Sequence, residues 1–224
     1  MDLQTLKQKM DEAHYIYDDT LATVLAVSLS LGRPLLVEGA AGVGKTEIAK
    51  VMAAALDRDL MRLQCYEGLD ESKALYEWNY QKQLLSIQVN MNQTDRDELT
   101  TSLFRDEYLL ERPLLQSIKS EKPVVLLIDE IDKADEEVES FLLQALGEKQ
   151  ITVNDLGTFD LQNDLMVMLT SNAQRNLLEE TKDRCLFLYI SYPTVEREMA
   201  IVKARVPNAD NGLIKKVVNR DGSN

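Results

Sequence analysis

The chain has 224 residues, 45% of them hydrophobic and 28% charged, enough apolar material for a sizeable core and too much for an intrinsically disordered chain. With 38 acidic against 25 basic side chains its formal net charge is -13, which argues against a protein that holds nucleic acid by neutralising phosphates with clustered Lys and Arg. Cys65 and Cys185 lie far apart and offer neither a disulfide framework nor a metal-ligand spacing. A reducing, cytoplasmic setting is expected, because the N-terminus lacks a signal-peptide pattern and no apolar run reaches the roughly 18 residues of a membrane helix.

In chain order, Leu3 to Leu31 carries apolar residues at helical spacing, with Leu21, Val24, Leu25 and Leu29 as a stripe, and predicts one or two helices ending at Gly32. Leu35-Leu36-Val37 reads as a short buried strand bounded by Gly39. A glycine-rich turn follows, then a helix from Thr46 to Leu56 stopped by Asp57. Leu60 to Leu63 is a second strand. From Gln64 to about Arg112 the pattern is mixed and predicts no secure element. Val124 to Ile128 is the clearest strand, and Val138, Phe141, Leu142, Ala145 and Leu146 define an amphipathic helix after it. A small hairpin is predicted from Gln150–Val153 and Thr158–Leu161 around a turn at Asn154 to Gly157, followed by strands at Leu165 to Thr170 and Leu186 to Ile190. Strands alternating with helices predict an α/β sheet of mostly parallel order.

The turn Gly39-Ala40-Ala41-Gly42-Val43-Gly44-Lys45-Thr46 fits G-x-x-x-x-G-K-[ST] and lies between a predicted strand and a predicted helix. In such a loop the backbone N–H groups cradle phosphate oxygens, Lys45 reaches the β- and γ-phosphates, and the Thr46 hydroxyl ligates magnesium. An ordinary glycine-rich turn would account for the glycines but not for the Lys-Thr pair. The strand Val125-Leu126-Leu127-Ile128 ends in Asp129 and Glu130, which puts one carboxylate near that magnesium and a second where it could activate a water. Alone, an acidic helix start explains this pair equally well. Asn172, after Thr170-Ser171, could hydrogen-bond the attacking water or the γ-phosphate, although a polar turn is the simpler reading in isolation. Arg184 could serve as an arginine finger toward a neighbouring subunit, with a plain surface cation as the alternative. The sole histidine, His14, is expected at a surface or cap, and Trp78 with its tyrosine neighbours in a packed cluster. The run from Asp129 to Glu139 holds seven acids and one lysine; beyond Asp129 and Glu130 it is expected to be a solvated helix face.

In order and spacing these motifs resemble AAA+ ATPases. The stretches Arg33 to Gly39, Leu63 to Asp70, Leu75 to Tyr80 and Glu111 to Leu115 resemble the MoxR family, and Cys65-Tyr66-Glu67-Gly68 with Tyr76-Glu77-Trp78-Asn79-Tyr80 is similar to its CoxD-like branch. The resemblance spans about residues 13 to 207. It implies a three-layer P-loop NTPase fold, the AAA+ large subdomain, over 1–193 with an N-terminal helical segment at 1–32. It also implies a mostly parallel five-stranded sheet, an insert in the second helix and a hairpin before the sensor strand. Residues 194–224 would be the start of a C-terminal helical lid, truncated or absent as a whole.

By the same resemblance, Lys45 and Thr46 bind ATP and Mg2+, Asp129 and Glu130 are the Walker B pair, Asn172 is sensor 1 and Arg184 the finger. That resemblance implies a chaperone-like ATPase that matures metal cofactors or assembles complexes, commonly as a hexameric ring with a von Willebrand factor A domain partner. CoxD-like members are associated with the metal site of molybdenum-containing carbon monoxide dehydrogenase or related hydroxylases. Here Ala40 replaces the family's frequent proline, Asp183-Arg184 replaces two consecutive arginines, with Arg175 as a backup finger, and Arg205 and Arg220 lack a sensor 2 context. The expected function is magnesium-dependent ATP hydrolysis that remodels a client protein, with no membrane or nucleic-acid partner. The alternative is a nucleotide-dependent assembly module with little hydrolysis. A GTPase is disfavoured, because no Asn-Lys-x-Asp motif occurs.

Overall fold

The computed structural model describes residues 1–90, 106–153 and 157–208 of the chain. The elements run α1 (Leu3–Glu12), α2 (Asp19–Leu31), β1 (Leu35–Gly39), α3 (Lys45–Leu56), β2 (Asp59–Gln64), α4 (Glu71–Leu75), β3 (Tyr76–Trp78) and α5 (Tyr80–Asn90). After a single 3-10 turn come β4 (Leu109–Glu111), α6 (Pro113–Lys119), β5 (Val124–Asp129), α7 (Glu136–Glu148), β6 (Gln150–Val153) and β7 (Gly157–Asp160). The chain continues through β8 (Leu165–Ser171), α8 (Glu179–Arg184), β9 (Leu186–Ile190) and α9 (Val195–Arg205).

The main sheet has five strands in the order β2-β5-β8-β1-β9, and every neighbouring pair is parallel. Parallel neighbours require crossovers, and helices supply them on both faces. Alternate side chains of one strand therefore enter different cores. In β5, Val125 and Leu127 pack with Leu6, Leu25, Ile48 and Met52 of α1, α2 and α3, whereas Leu126 and Ile128 pack with Leu114, Ile118 and Leu142 of α6 and α7. All six β5 residues are buried, which is why this strand reads as one unbroken apolar run. Because the five strands point the same way, their carboxyl ends form one edge, and the loops after β1, β5 and β8 meet there.

The expected N-terminal helices are two, and Gly32 ends α2 in the left-handed conformation, φ 60°. The predicted hairpin is the antiparallel pair β6–β7 directly before β8; its turn residues 154–156 lie outside the described residues. The segment with no secure reading holds α4, the two-stranded β3–β4 sheet and α5, and residues 91–105 within it lie outside the described residues. Within the aromatic cluster Tyr76 and Trp78 meet edge to face at 5.8 Å, while Tyr66 and Tyr80 are exposed. Among the described residues no helix is long and apolar enough to cross a membrane.

Asp18 caps α2: its Oδ1 accepts from the Leu21 N–H at 2.8 Å and its Oδ2 from Arg197 at 2.7 Å. The Leu21 N–H, aided by the Arg197 charge, holds its carboxyl below the usual carboxylate range. A depressed folded value stabilises the fold above the unfolded pKa, about 3.9, and that contribution is lost as pH falls through the folded value. Asp18→Ala is expected to cost about 1 kcal/mol at pH near 7 and progressively less below pH of about 4. Urea melts at neutral and acidic pH check this; a pH-independent loss would contradict it.

Candidate functional site

The loop between β1 and α3 is shaped by its glycines. A Cβ at Gly39 would stand 2.3 Å from the Ile190 carbonyl oxygen, so only glycine lets β1 and β9 end side by side. Gly42 and Gly44 have φ of 83° and 94°, the left-handed region where glycine is free of strain. Gly44 offers α3 no side-chain cap, leaving the first backbone N–H groups of that helix for an anion. Lys45, only 7% exposed, donates from Nζ at 2.7 Å to the Gly39 carbonyl, the Ala40 carbonyl and Asn172 Oδ1. Burial lowers its pKa, and the charges of Asp132, Asp129 and Glu130 oppose that shift.

β5 delivers Asp129 to the same edge. The Thr46 hydroxyl lies 3.3 Å from each Asp129 carboxylate oxygen, and the Thr170 hydroxyl donates to Oδ1. Glu130 follows in the left-handed conformation, φ 56°, a strained position for a non-glycine residue that its N–H helps hold by donating to Thr170 Oγ1 at 2.9 Å. Its carboxylate receives Lys133 at 2.6 Å, Gln64 Nε2 at 2.9 Å and Asn172 Nδ2 at 3.3 Å. Lys133 is the main reason its pKa is lowered, with Asn172 adding to the effect. Lys45, Thr46, Asp129, Glu130 and Asn172 thus form one connected group.

The oxygen donors of Thr46 and Asp129 suit a hard cation such as magnesium. Among the described residues no three His, Cys, Asp or Glu side chains gather into a metal cage.

Arg184 stands apart from this group. It precedes β9, whose first residue Leu186 pairs with Leu35 at the opposite end of β1 from the glycine loop. Its guanidinium bonds the Leu143 carbonyl at 3.2 Å and Glu180 of the same helix, with 44% of the side chain exposed. Arg175 pairs at 2.6 Å with the fully buried Glu139, which also accepts from the Leu178 N–H at 2.8 Å and from Thr181. It braces the segment after β8 against α7. The acidic run is accordingly not a plain solvated face. Glu139 is 0% exposed and Asp132 4%, and Asp132 Oδ2 accepts the Asn172 and Gln174 N–H groups at 3.1 and 3.0 Å. That carboxylate fixes the turn that carries Asn172, in which Ala173 is left-handed at φ 56°. Asp132, Thr170, Arg62 and Gln64 were all missed as site residues; for the β2 pair the available signal was two polar side chains, two apart, at the end of a strand.

Beside the glycine loop lies a cleft of about 400 Å³ between the segment after α1, the start of α3, the end of β9 and α9. Tyr15, Val43, Ile190, Tyr192 and Ile201 give it apolar walls, and the exposed His14 stands among its lining residues. Two ion pairs tie α9 across it, Arg197–Asp18 at 2.7 Å and Arg205–Glu47 at 2.6 Å. Its size and mixed lining fit a planar base with its sugar.

Residues 34–185, more than half of the chain, match the AAA domain family (dynein-related subfamily). The protein belongs to that family, and its sheet order and glycine loop are those of an α/β P-loop NTPase. Among curated proteins it is similar to the chaperone protein ClpB of Staphylococcus epidermidis, 26% identical over 180 residues, and to ClpB of Bacillus cereus at the same identity. The match covers 77% of this chain but only 18% of the Staphylococcus epidermidis protein, so the chain corresponds to a small part of that relative. A crystal structure from Cytophaga hutchinsonii, of a protein whose name proposes an ATPase, superposes with a TM-score of 0.62 at 21% identity, covering 97% of this chain and 62% of that one. A RuvB mutant from Thermotoga maritima gives 0.51 at 17% identity, covering 97% and 57%. These two likenesses concern the fold.

Proposed function

We propose that the protein is a magnesium-dependent ATPase whose turnover remodels a client protein in a cytoplasmic setting. The observation that carries this reading is the convergence of Lys45, Thr46, Asp129, Glu130 and Asn172 at the carboxyl edge of the sheet, beside a base-sized cleft. Residues 39–46 would hold the phosphates, Lys45 would neutralise the β- and γ-oxygens, and the cleft would take the adenosine. Magnesium, when bound, would add charge stabilisation on the phosphates through Thr46 and Asp129. Glu130 would take the proton of the attacking water as its oxygen bonds to the γ-phosphorus and ADP leaves, while Asn172 orients that water. Arg184 would complete a neighbour's site in an oligomer, a hexameric ring by resemblance.

Within the family we assign the chain to the MoxR group and its CoxD-like branch, on the Cys65–Gly68 and Tyr76–Tyr80 segments. Client maturation at a molybdenum hydroxylase or carbon monoxide dehydrogenase, with a von Willebrand factor A domain partner, is the finer reading. Residues 1–193 would form the nucleotide-binding domain, with 194 onward beginning a helical lid.

The own-chain bonds of Arg184 favour a second reading, a nucleotide-dependent assembly module with little hydrolysis. Steady-state phosphate release measured over a range of protein concentrations separates the two. The ATPase reading expects specific activity to rise with concentration and to fall in Arg184→Ala. Flat, near-background release with ATP still bound would support the assembly module.

A further inference from the structure

Arg62 lies on β2, an edge strand, and pairs in register with Leu127, two positions before Gln64 meets Asp129. Residues two apart on a strand share a face, so Arg62 and Gln64 both project along the side of the sheet that carries the Asp129 and Glu130 carboxylates. Arg62 Nε donates to Asp129 Oδ2 at 2.9 Å, and Nη2 donates to the same oxygen and to Gln64 Oε1. The other oxygen, Oδ1, accepts the Thr170 hydroxyl. Both carboxylate oxygens therefore have firm partners, one neutral and one cationic.

The two ends of this pair differ in freedom. Only 4% of the Asp129 side chain is exposed, whereas 51% of the Arg62 side chain is. The carboxylate is fixed by the strand and by Thr170, but the guanidinium can swing toward solvent without burying its charge. A guanidinium stays charged at any pH the protein meets, so it opposes any second cation brought to the same carboxylate.

We propose that Arg62 is a positioning residue that holds Asp129 Oδ2 and competes with the divalent cation for it, thereby setting the magnesium concentration at which nucleotide is held. This inference rests on the ATP-site reading. Because binding couplings are reciprocal, magnesium weakens the Arg62–Asp129 pair by the same factor by which Arg62 weakens magnesium. The arginine would keep the site closed to loose cations, and only a magnesium already carried on phosphates would displace it.

The test is a magnesium titration of methylanthraniloyl-ADP fluorescence on the full chain, which reads binding without turnover. Arg62→Gln is expected to lower the magnesium midpoint by about five- to tenfold, within the usual range of coupling between ligands. Arg62→Met, a second neutral variant, should do the same, while Arg62→Lys should stay close to the parent chain because it keeps the charge. In an Asp129→Asn background the Arg62→Gln effect should vanish, which a merely structural role for Arg62 would not produce. An unmoved or raised midpoint with intact analogue binding overturns the inference alone, as does an equal shift in the Asp129→Asn background. Failure of the parent chain to bind the analogue at any magnesium concentration overturns the ATP-site reading and the inference with it.

Discussion

Lys45→Met is expected to weaken ATP binding by at least about a hundredfold, about 2.8 kcal/mol at roughly 1.4 kcal/mol per factor of ten. Lys45 is 7% exposed, and its ammonium holds three acceptors at 2.7 Å, two of them carbonyls of the loop that would wrap the phosphates. A hydrogen bond from a charged donor contributes about 1.5–3 kcal/mol, so one or two such bonds to phosphate oxygens account for the whole effect. Methionine follows a similar path through the interior without the charge, so the variant should remain folded by circular dichroism. It should also release Asn172 Oδ1 from its Lys45 donor, which makes the loss of the cation visible at a second side chain. Calorimetry on both chains checks the prediction; undiminished affinity in the variant would show that Lys45 does not face phosphate.

Glu130→Gln is expected to keep ATP affinity within a small factor while lowering phosphate release by about a hundredfold or more, the usual contribution of a positioned general base. Glutamine preserves the shape but keeps a single acceptor oxygen, so it retains one of the two amide bonds that Asn172 and Gln64 make to the separate oxygens of Glu130, at 3.3 and 2.9 Å. It cannot take a proton from water. The Lys133 pair that it loses is partly exposed on both sides, 37% and 30%, so stability should change little. Hydrolysis equal to the parent chain would remove Glu130 from the proposed mechanism.

Much of the frame was legible because burial on both faces of a parallel sheet writes itself as apolar runs. Val124–Ile128 and Leu165–Thr170 are such runs, and both became central strands whose neighbours lie on either side. The glycine loop was legible for a different reason: left-handed backbone and close approach restrict the residue type, as at Gly39 and Gly42. Carboxylates in the acidic run resisted reading, because Asp132 and Glu139 are buried by partners about 40 positions away. The N–H groups of Asn172, Gln174 and Leu178 turn them into structural acceptors, and no local pattern distinguishes them from the solvated Glu136 and Glu137 beside them. Arg62 and Gln64 escaped for a related reason, since their meaning depends on the β2–β5 register rather than on spacing along the chain. The contacts of Arg197 with Asp18 and Arg205 with Glu47 likewise join segments far apart in the chain that sequence periodicity cannot bring together.

The most direct measurement is an ATP titration of the purified chain with and without magnesium, followed by calorimetry. Saturable binding of one ATP per chain, strengthened by magnesium and lost in Lys45→Met, is the predicted result. Absence of ATP binding at millimolar nucleotide, with the chain folded and magnesium present, would contradict the assignment of this sheet edge as a nucleotide site.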